Sequence, residues 1–288
     1  MAEPDFRGLE ITVVGLGLIG GSFAKAIRKL SPKNLWAVDI DKKVLELAKS
    51  TGVIDEGYLS GEIPLRSSDL VVICVYPELT SKFIKDNMDN FRQGAVITDA
   101  AGIKTKVLNE VRMFLRNDLD FVGGHPLAGK EGSGFSKSSA DIFLGANYLI
   151  TPVVTNQEKS LILVEEMVKG IGCRQPVRMD PAKHDEIIAL TSQLPHIIAA
   201  ALMNCSQSDD TGLFIGGSFK DATRVAQINV ELWSKLLMEN RENTLTQIEL
   251  FLENIGKIKQ MLQEEDNASL EEYLRSAGKA KARLTDND

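Results

Sequence analysis

Apolar runs alternate with amphipathic stretches along the first part of the chain. The apolar runs are rich in Val and Ile and lack polar alternation, as is typical of parallel strands covered on both faces. Strands are predicted at Ile11–Val14, Leu35–Asp39, Leu70–Val75, Ala95–Asp99, Phe121–Gly123, Tyr148–Thr151 and Arg174–Val177. Helices are predicted at Ile19–Leu30, Lys42–Ser50, Glu78–Asn90, Lys104–Arg116 and Gln157–Gly170. The alternation predicts a doubly wound α/β domain over residues 1–180, with a ligand crevice at the carboxyl ends of the strands.

Beyond residue 180 the apolar positions recur only at helical spacing, which predicts an all-α C-terminal domain over residues 181–288. A long apolar helix from Pro181 to Ser206 is expected to be interrupted near Pro195, whose ring removes a backbone donor. Further helices are predicted at Phe219–Gln227, Glu231–Met238 and Glu242–Gln263, and at a last segment that starts with a Ser269–Glu272 capping box. The helical part is unusually apolar, so either a subunit interface or an intramolecular core is expected to cover it.

A glycine-rich turn joins the first predicted strand to the first predicted helix. Gly15 allows a sharp turn, Gly17 leaves room for a pyrophosphate, and Gly20 lets the helix pack closely on the strand. Asp39 ends the second strand, where a carboxylate can bond both ribose hydroxyls and would repel a 2′-phosphate, which favours NAD over NADP. This arrangement indicates a Rossmann-type dinucleotide site. The residues expected to line it are Gly15, Leu16, Gly17, Leu18, Ile19, Gly20, Asp39, Val75, Pro77 and Asp99.

Composition narrows the possible partners. The net charge is −7 and there is no basic tract, which argues against nucleic acid or an anionic membrane surface as the partner. Cys74, Cys173 and Cys205 are too far apart for a disulfide framework or a metal motif. The N-terminus lacks the features of a signal peptide, and no uninterrupted apolar run reaches the ~18 residues of a membrane span. We therefore expect a cytoplasmic protein with reduced thiols.

His125 and Arg224 are the candidate chemical groups. His125 follows a predicted strand within a glycine-rich loop, where a neutral imidazole can accept a hydroxyl proton while hydride leaves the same carbon for NAD. Arg224 lies three residues after Asp221, so the two side chains form either a surface ion pair or a guanidinium fork for a substrate carboxylate. His184 and His196 lack metal-ligand spacing and are expected to be structural, so no metal is predicted.

Several motifs resemble prephenate dehydrogenases of tyrosine biosynthesis and their arogenate and cyclohexadienyl relatives. The similarity spans nearly the whole chain and involves both predicted domains. The motifs are Gly15–Ser22, Thr98–Lys104, Gly124–Gly129 with Glu131 and Ser133-Gly134, His184-Asp185, Ser192–His196, Phe219–Arg224 and Trp233.

The resemblance implies NAD-dependent oxidative decarboxylation of prephenate to 4-hydroxyphenylpyruvate and CO₂. His125 would be the catalytic histidine at the ring 4-hydroxyl, and Arg224 would bind a substrate carboxylate. His196 would be a second active-site histidine, while Glu131 and Asp221 would form an ionic network with the arginine. The helical domain of such enzymes makes a homodimer and completes the active site.

Two positions depart from the family pattern. Gly102 stands where many members carry a serine beside the 4-hydroxyl, and Gln193 replaces the first histidine of a Ser-His-Leu-Pro-His run. Gln193 can still bond a substrate but does not gain charge near neutral pH. Arogenate, which carries an amino group on the side chain, therefore remains an alternative substrate.

Two more distant functions are compatible with the sequence. A β-hydroxyacid dehydrogenase would pair the same domains and would use a lysine base, for which Lys220 is the only candidate in a suggestive setting. An NAD-binding regulatory module would need neither the base nor the arginine.

Overall fold

The computed structural model describes residues 5–205 and 212–285, and the chain divides into two compact units. The first unit consists of Met1–Ile188 and Asn229–Glu239. The second unit consists of Ala189–Ile228 and Asn240–Asp288.

An eight-stranded sheet forms the first unit, in the order β3-β2-β1-β4-β5-β6-β7-β8. The strands are Glu10–Val14 (β1), Asn34–Val38 (β2), Glu56–Tyr58 (β3), Leu70–Ile73 (β4), Val96–Asp99 (β5), Asp120–Pro126 (β6), Tyr148–Thr151 (β7) and Val177–Arg178 (β8). Neighbouring strands are parallel except for β6 and β7, which pair antiparallel. The strand order reverses direction between β1 and β4, which is where doubly wound folds place a ligand crevice.

Two apolar clusters form the core of this unit. Along β1, Ile11 and Val13 belong to one cluster and Val14 to the other, and Leu70 and Val71 of β4 divide in the same way. Because side chains alternate across a strand, both faces of the sheet are covered. The helices of this unit are Leu18–Arg28 (α1), Lys42–Ser50 (α2), Pro77–Asp86 (α3), Thr105–Arg112 (α4), Glu158–Gly170 (α5), Pro181–Ile188 (α6) and Val230–Glu239 (α9). The predicted doubly wound α/β fold is confirmed.

The sheet differs from the prediction by more than one residue in four places. Strand β4 ends at Ile73, two residues before the predicted Val75. Strand β3 was not predicted, because three residues paired with β2 carry no apolar pattern of their own. Strand β6 extends to Pro126, so His125 lies within the strand and pairs with Leu149 rather than lying in a loop after it. Strand β8 begins at Val177, three residues after the predicted start.

Segments from beyond residue 180 belong to the first unit. Lys235 of α9 donates to Glu78 of α3 at 2.5 Å, and Glu239 accepts from Lys106 at 2.8 Å. These contacts with α3 and α4 explain why α9 belongs to the first unit, although it lies among the predicted C-terminal helices in sequence.

Helices make up the second unit. They are Leu194–Asn204 (α7), Gly217–Thr223 (α8), Arg241–Gln263 (α10) and Asn267–Thr285 (α11), with a π-helical turn at Ala189–Gln193 and a 3-10 turn at Arg224–Ala226. The interruption predicted near Pro195 takes the form of the π turn, after which the chain stays helical through the proline. A wider turn displaces the carbonyl that the proline ring would otherwise strike. Ser206, the predicted end of this helix, lies outside the described residues.

The capping box predicted for the last helix is wrong. Helix α11 begins at Asn267, and the Asp266 carboxylate accepts from the backbone N–H of Ser269 at 3.0 Å. Ser269 therefore lies inside the first turn, and Asp266 supplies the acceptor that the open N–H groups need.

The helical stretch Pro181–Asn204 is long and apolar enough to cross a membrane by length and composition alone, with a mean hydropathy of 1.4. The sequence expectation considered only uninterrupted apolar runs and so did not single it out. Its polar side chains include His184, which is fully buried, and Gln193, which accepts hydrogen bonds from Asn240 and Thr244 at 2.8 Å. Core helices of globular proteins meet the same criterion, so one such helix is weak evidence for a membrane span.

Candidate active site

Glycine is required at two positions of the turn after β1. Gly15 has a φ of +85°, and a Cβ there would lie 2.8 Å from the carbonyl oxygen of Cys74. A Cβ at Gly20 would lie 1.7 Å from the carbonyl oxygen of Gly15, which no side chain tolerates. A Cβ at Gly17 would meet no atom within 4 Å, so this position is open. The sharp turn at Gly15 and the close packing at Gly20 agree with the sequence, and the role of Gly17 toward a pyrophosphate stays a prediction.

The start of α1 offers backbone donors to an anion. The helix opens with Leu18 and Ile19, and its N-cap, Gly17, makes no side-chain capping bond. Uncapped N–H groups and the helix dipole favour a phosphate there. Asp39 follows β2, and its carboxylate accepts from the backbone N–H of Leu16 at 2.6 Å. That bond fixes the acid next to the turn, which is the position the predicted ribose contact needs.

Val75 and Pro77 follow β4, at the reversal of strand order. The Cγ1 of Val75 lies 2.8 Å from the position of a Cβ at Gly15, so this side chain packs on the glycine turn. Pro77 is buried and begins α3, where a missing N–H costs no helical bond. Both residues therefore lie at the crevice that the fold defines.

Asp99 ends β5 and is fully buried. Its carboxylate accepts from the backbone N–H groups of Ala101 and Gly124, each at 3.1 Å, and pairs with the ammonium of Lys104, which is also fully buried. Lys104 in turn donates to the Gly124 carbonyl at 2.7 Å. The Asp99 carboxylate therefore bonds protein groups and ties the ends of β5 and β6 together, and its predicted contact with a dinucleotide stays a prediction.

A chain of three polar side chains ends at His125. The Nδ1 of His125 lies 2.9 Å from Nε2 of His184, and Nδ1 of His184 lies 2.7 Å from Oδ1 of Asp185. His184 is fully buried and Asp185 nearly so. The structure therefore joins two histidines that are 59 residues apart in the chain. The expectation that His184 is only a cap or packing residue misses this link.

The surroundings of His125 disfavour its charged form. Burial is the largest cause that lowers the pKa of His125 well below its usual value of 6.5; repulsion from His184, which acts only when that ring is also protonated, and from Lys104 adds to it, and Asp185 opposes it in part. A neutral imidazole is the form that can accept a proton. The other ring nitrogen, Nε2, lies 3.8 Å from the position of a Cβ at Gly102, on the side away from His184.

Arg224 and His196 lie together in the second unit. Arg224 is exposed and begins the 3-10 turn after α8, and this turn packs against α7, which carries His196. Burial lowers the pKa of His196, the bond of its Nδ1 to the Ser192 carbonyl at 2.8 Å opposes this, and the charge of Arg224 lowers it further. A guanidinium beside a neutral imidazole can bind a carboxylate.

The other residues predicted to bind substrate are Glu131, Asp221 and Gln193. Glu131 and Asp221 are exposed, and among the described residues no ion pair joins Asp221 to Arg224. Helix α8 ends at Thr223, and Arg224 begins the 3-10 turn that follows it, so the two residues belong to different elements. Gln193 is buried and its amide oxygen accepts from Asn240 and Thr244.

Three functional candidates were missed by the sequence analysis: His184 as a partner of His125, Asp185 and Lys104. An adjacent His-Asp pair is a signal for a relay, but its partner is far away in sequence. Nothing in the pattern marks Lys104 as buried. Within residues 5–205 and 212–285, no group of His, Cys, Asp and Glu side chains has the arrangement of a metal site.

The glycine turn, the acid after β2 and the neutral histidine at the same edge of the sheet define a dinucleotide-binding oxidoreductase with an additional helical unit. Two family models match the chain: the nucleotide-binding domain of prephenate dehydrogenase over residues 23–177, and the dimerization domain of prephenate dehydrogenase over residues 180–276. The chain belongs to the prephenate dehydrogenase family, as the motifs predict.

Individual relatives agree with this assignment. The chain is 30% identical to a prephenate dehydrogenase of Bacillus subtilis over 93% of its own length and 74% of that protein. It is 28% identical to a cyclohexadienyl dehydrogenase of Zymomonas mobilis over 96% and 97%. Among solved structures, prephenate dehydrogenase from A. aeolicus in complex with hydroxyphenyl propionate and NAD⁺ has a TM-score of 0.88 at 29% identity, covering 95% of this chain and 97% of that one.

Proposed function

We propose that the chain catalyses the NAD-dependent oxidative decarboxylation of prephenate to 4-hydroxyphenylpyruvate and CO₂, a step of tyrosine biosynthesis. The observation that carries the proposal is a neutral His125 at the crevice edge of a sheet that also bears the dinucleotide turn. Family membership and the A. aeolicus relative, which binds NAD⁺ and hydroxyphenyl propionate, support it.

The reaction needs little beyond positioning and a base. Prephenate is a dianion with a secondary alcohol across the ring from a quaternary carbon that bears a carboxylate. NAD⁺ supplies the hydride acceptor when it is bound. Nε2 of His125 takes the hydroxyl proton as the alcohol carbon loses hydride, so that a ring ketone forms. Loss of CO₂ then leaves its electron pair in the ring, which becomes aromatic, and the phenolate oxygen takes the proton back from His125.

Arg224 and His196 are proposed to bind a carboxylate of the substrate. Arg224 is exposed and carries the permanent charge that a dianion requires in a chain of net charge −7. The roles of Glu131 and Asp221 in ordering the guanidinium, and of Gln193 at the substrate, are proposed from the family resemblance alone. Because protein groups occupy the amide oxygen of Gln193, we expect its contribution to be indirect.

The preferred substrate within the family is an open choice between prephenate and arogenate. The Zymomonas mobilis relative is a cyclohexadienyl dehydrogenase, a name that leaves both rings possible. At Gly102 there is no side chain to bond the 4-hydroxyl, so a bridging water is proposed to take that place. We favour prephenate because the Bacillus subtilis relative is a prephenate dehydrogenase.

A homodimer in the cytoplasm is proposed as the working form. The second family model describes a dimerization domain. Apolar side chains at spacings of seven, three and seven residues along α10 remain about half exposed or more: Leu245, Leu252, Ile255 and Leu262. Such a stripe is the pattern by which one helix packs against another. The exposed thiol of Cys205 fits a reducing compartment.

Formation of NADH, followed by its absorbance, tests the function directly. Prephenate and arogenate are compared by kcat/KM, first with NAD and then with NADP. We expect turnover with prephenate and NAD, and a strong preference for NAD because of Asp39. No NADH with either ring would favour an NAD-binding regulatory module. Turnover of a small β-hydroxy acid instead would favour a β-hydroxyacid dehydrogenase.

A further inference from the structure

We infer that His184 and Asp185 are positioning residues that hold His125 in the single neutral tautomer able to act as a base at Nε2. The inference deepens the proposed function and rests on it for the role of His125. It stands on the bonded chain His125–His184–Asp185 and on the chemistry of its three members.

The direction of each hydrogen bond follows from the carboxylate at the end of the chain. An ionised carboxylate only accepts, so Nδ1 of His184 carries a proton and donates it to Asp185. When the ring of His184 carries that single proton, its other nitrogen, Nε2, is the acceptor, and Nδ1 of His125 donates to it. Neutral His125 is left with a lone pair on Nε2, the nitrogen that faces Gly102.

Asp185 is held ionised by a second set of donors. Its two oxygens accept from the backbone N–H groups of Lys104 at 2.8 Å and Thr105 at 2.9 Å. These groups start α4, whose own N-cap makes no side-chain capping bond. Burial alone would raise the pKa of Asp185, but the bonds from His184, Thr105 and Lys104 lower it below its usual value. The helix dipole acts in the same direction.

Other charges near His125 keep the ring neutral but do not choose its tautomer. Lys104 and Asp99 form an ion pair at the end of β5, and Lys104 also bonds the carbonyl of Gly124, the residue before His125. The groups whose charges act on the His125 pKa are His184, Lys104 and Asp185. Only His184 makes a hydrogen bond to the His125 ring among the described residues. The tautomer is therefore set by His184.

Two substitutions of His184 separate positioning from packing. His184→Leu keeps an apolar volume but offers no acceptor to Nδ1 of His125, whereas the amide oxygen of His184→Gln can still accept. We expect kcat with prephenate and NAD to fall roughly 100-fold in His184→Leu and less than ~10-fold in His184→Gln, with KM little changed in both. Equal losses in the two variants, in proportion to lost thermal stability, would mean a packing role only.

Nitrogen-15 NMR of the imidazole rings reads the tautomer without any substrate. The chain has only three histidines, so each ring is assigned by its own substitution. We expect His125 protonated at Nδ1 in the wild-type protein, and a shift toward the Nε2-protonated form in His184→Leu. Nε2 protonation of His125 in the wild type would overturn the inference, even if the enzyme turns over prephenate.

Ser68→Ala is the matched control for losing a buried hydrogen bond elsewhere in the first unit. Ser68 is fully buried and bonds Thr12 at 2.7 Å. We expect a lower melting temperature with unchanged kcat and an unchanged His125 tautomer. The outcomes also separate the two proposals. An inactive wild type with the expected tautomer counts against the proposed function alone, and an active wild type that is indifferent to His184→Leu counts against the positioning role alone.

Discussion

The two units differ in how their apolar side chains are covered. In the first unit, residues such as Ile11 and Phe23 are fully buried between the sheet and its helices. In the second unit, α10 leaves Leu252 60% exposed and Leu262 61% exposed. A single chain therefore completes the core around the dinucleotide turn and His125, whereas the helical unit leaves an apolar stripe exposed, where the proposed second subunit would pack. The difference suggests that chemistry and assembly can be disturbed separately.

His125→Asn should give the largest effect, and only on chemistry. Removing the base is expected to lower kcat by about 10²–10⁴-fold. Binding of NAD, measured by fluorescence or calorimetry in the absence of substrate, should be unchanged, as should the oligomeric state. Retained turnover would show that another group takes the proton.

Arg224→Gln tests the second unit. Loss of charge-assisted bonds worth about 1.5–3 kcal/mol should raise KM for prephenate roughly 10–100-fold, with kcat less affected. The matched control is Lys220→Gln, an exposed cation on the preceding helix. An unchanged KM for Arg224→Gln would remove the carboxylate clamp, and a collapse of turnover in Lys220→Gln would point to a lysine base.

Leu252→Lys addresses the apolar stripe. A charge in the middle of a helix–helix contact is expected to weaken the dimer at least ~10-fold, seen by sedimentation over a dilution series. The control is Met113→Lys at the end of α4 in the first unit, where the side chain is 81% exposed and no partner is proposed. A dimer that survives Leu252→Lys but not Met113→Lys would show that the first unit, and not α10, makes the subunit contact.

The pH dependence should report the neutral His125. Its pKa is lowered first by burial, and then by Lys104 and by the repulsion that a second proton on His184 would add, so the base is present at neutral pH and is lost as the pH falls through a value below 6.5. We expect kcat/KM to be flat near pH 7 and to drop about tenfold per pH unit on the acid side. If kcat/KM already fell with decreasing pH above pH 6.5, the pKa of His125 would not be lowered, which would contradict this prediction.

Gly102→Ser should give the smallest effect. A Cβ there would lie 3.5 Å from Leu236 and 3.8 Å from Nε2 of His125, both ordinary contacts, so the variant is expected to fold with an unchanged melting temperature. The added hydroxyl can bond the substrate, and one such bond of about 0.5–1.5 kcal/mol corresponds to a two- to tenfold change in kcat/KM. A loss well beyond tenfold would show that the serine blocks Nε2.

Features encoded by neighbouring residues could be predicted from the sequence. The strand, the glycine turn and Asp39 lie within one short βαβ segment, and each glycine has a separate local requirement. Strand β3 could not be predicted, because it owes its conformation to pairing with β2 and not to its own three residues. The pairing of His125 with His184 depends on a contact across 59 residues and leaves no periodic signal.

Two predictions that depended on the exact end of a helix differ from the structure. An ion pair between Asp221 and Arg224 was one of two predicted alternatives, and none is formed among the described residues; α8 ends at Thr223, between the two. The predicted capping box needs a helix that starts at Ser269, and Asp266 begins it earlier. In both cases the residue types were compatible with the prediction, but a neighbouring residue or turn moved the helix end: Asp266 lies three residues before Ser269, and a 3-10 turn follows Thr223.

The carboxylate of Asp185 serves a helix and an imidazole at once. Because the same oxygens hold the first turn of α4 and the ring of His184, loosening of that turn withdraws support from His125 before the sheet itself unfolds. Deuterium uptake at the Thr105 amide would then measure the fraction of molecules in which this first turn is open. On warming, we expect turnover to fall as deuterium uptake at Thr105 rises, at temperatures well below the melting temperature.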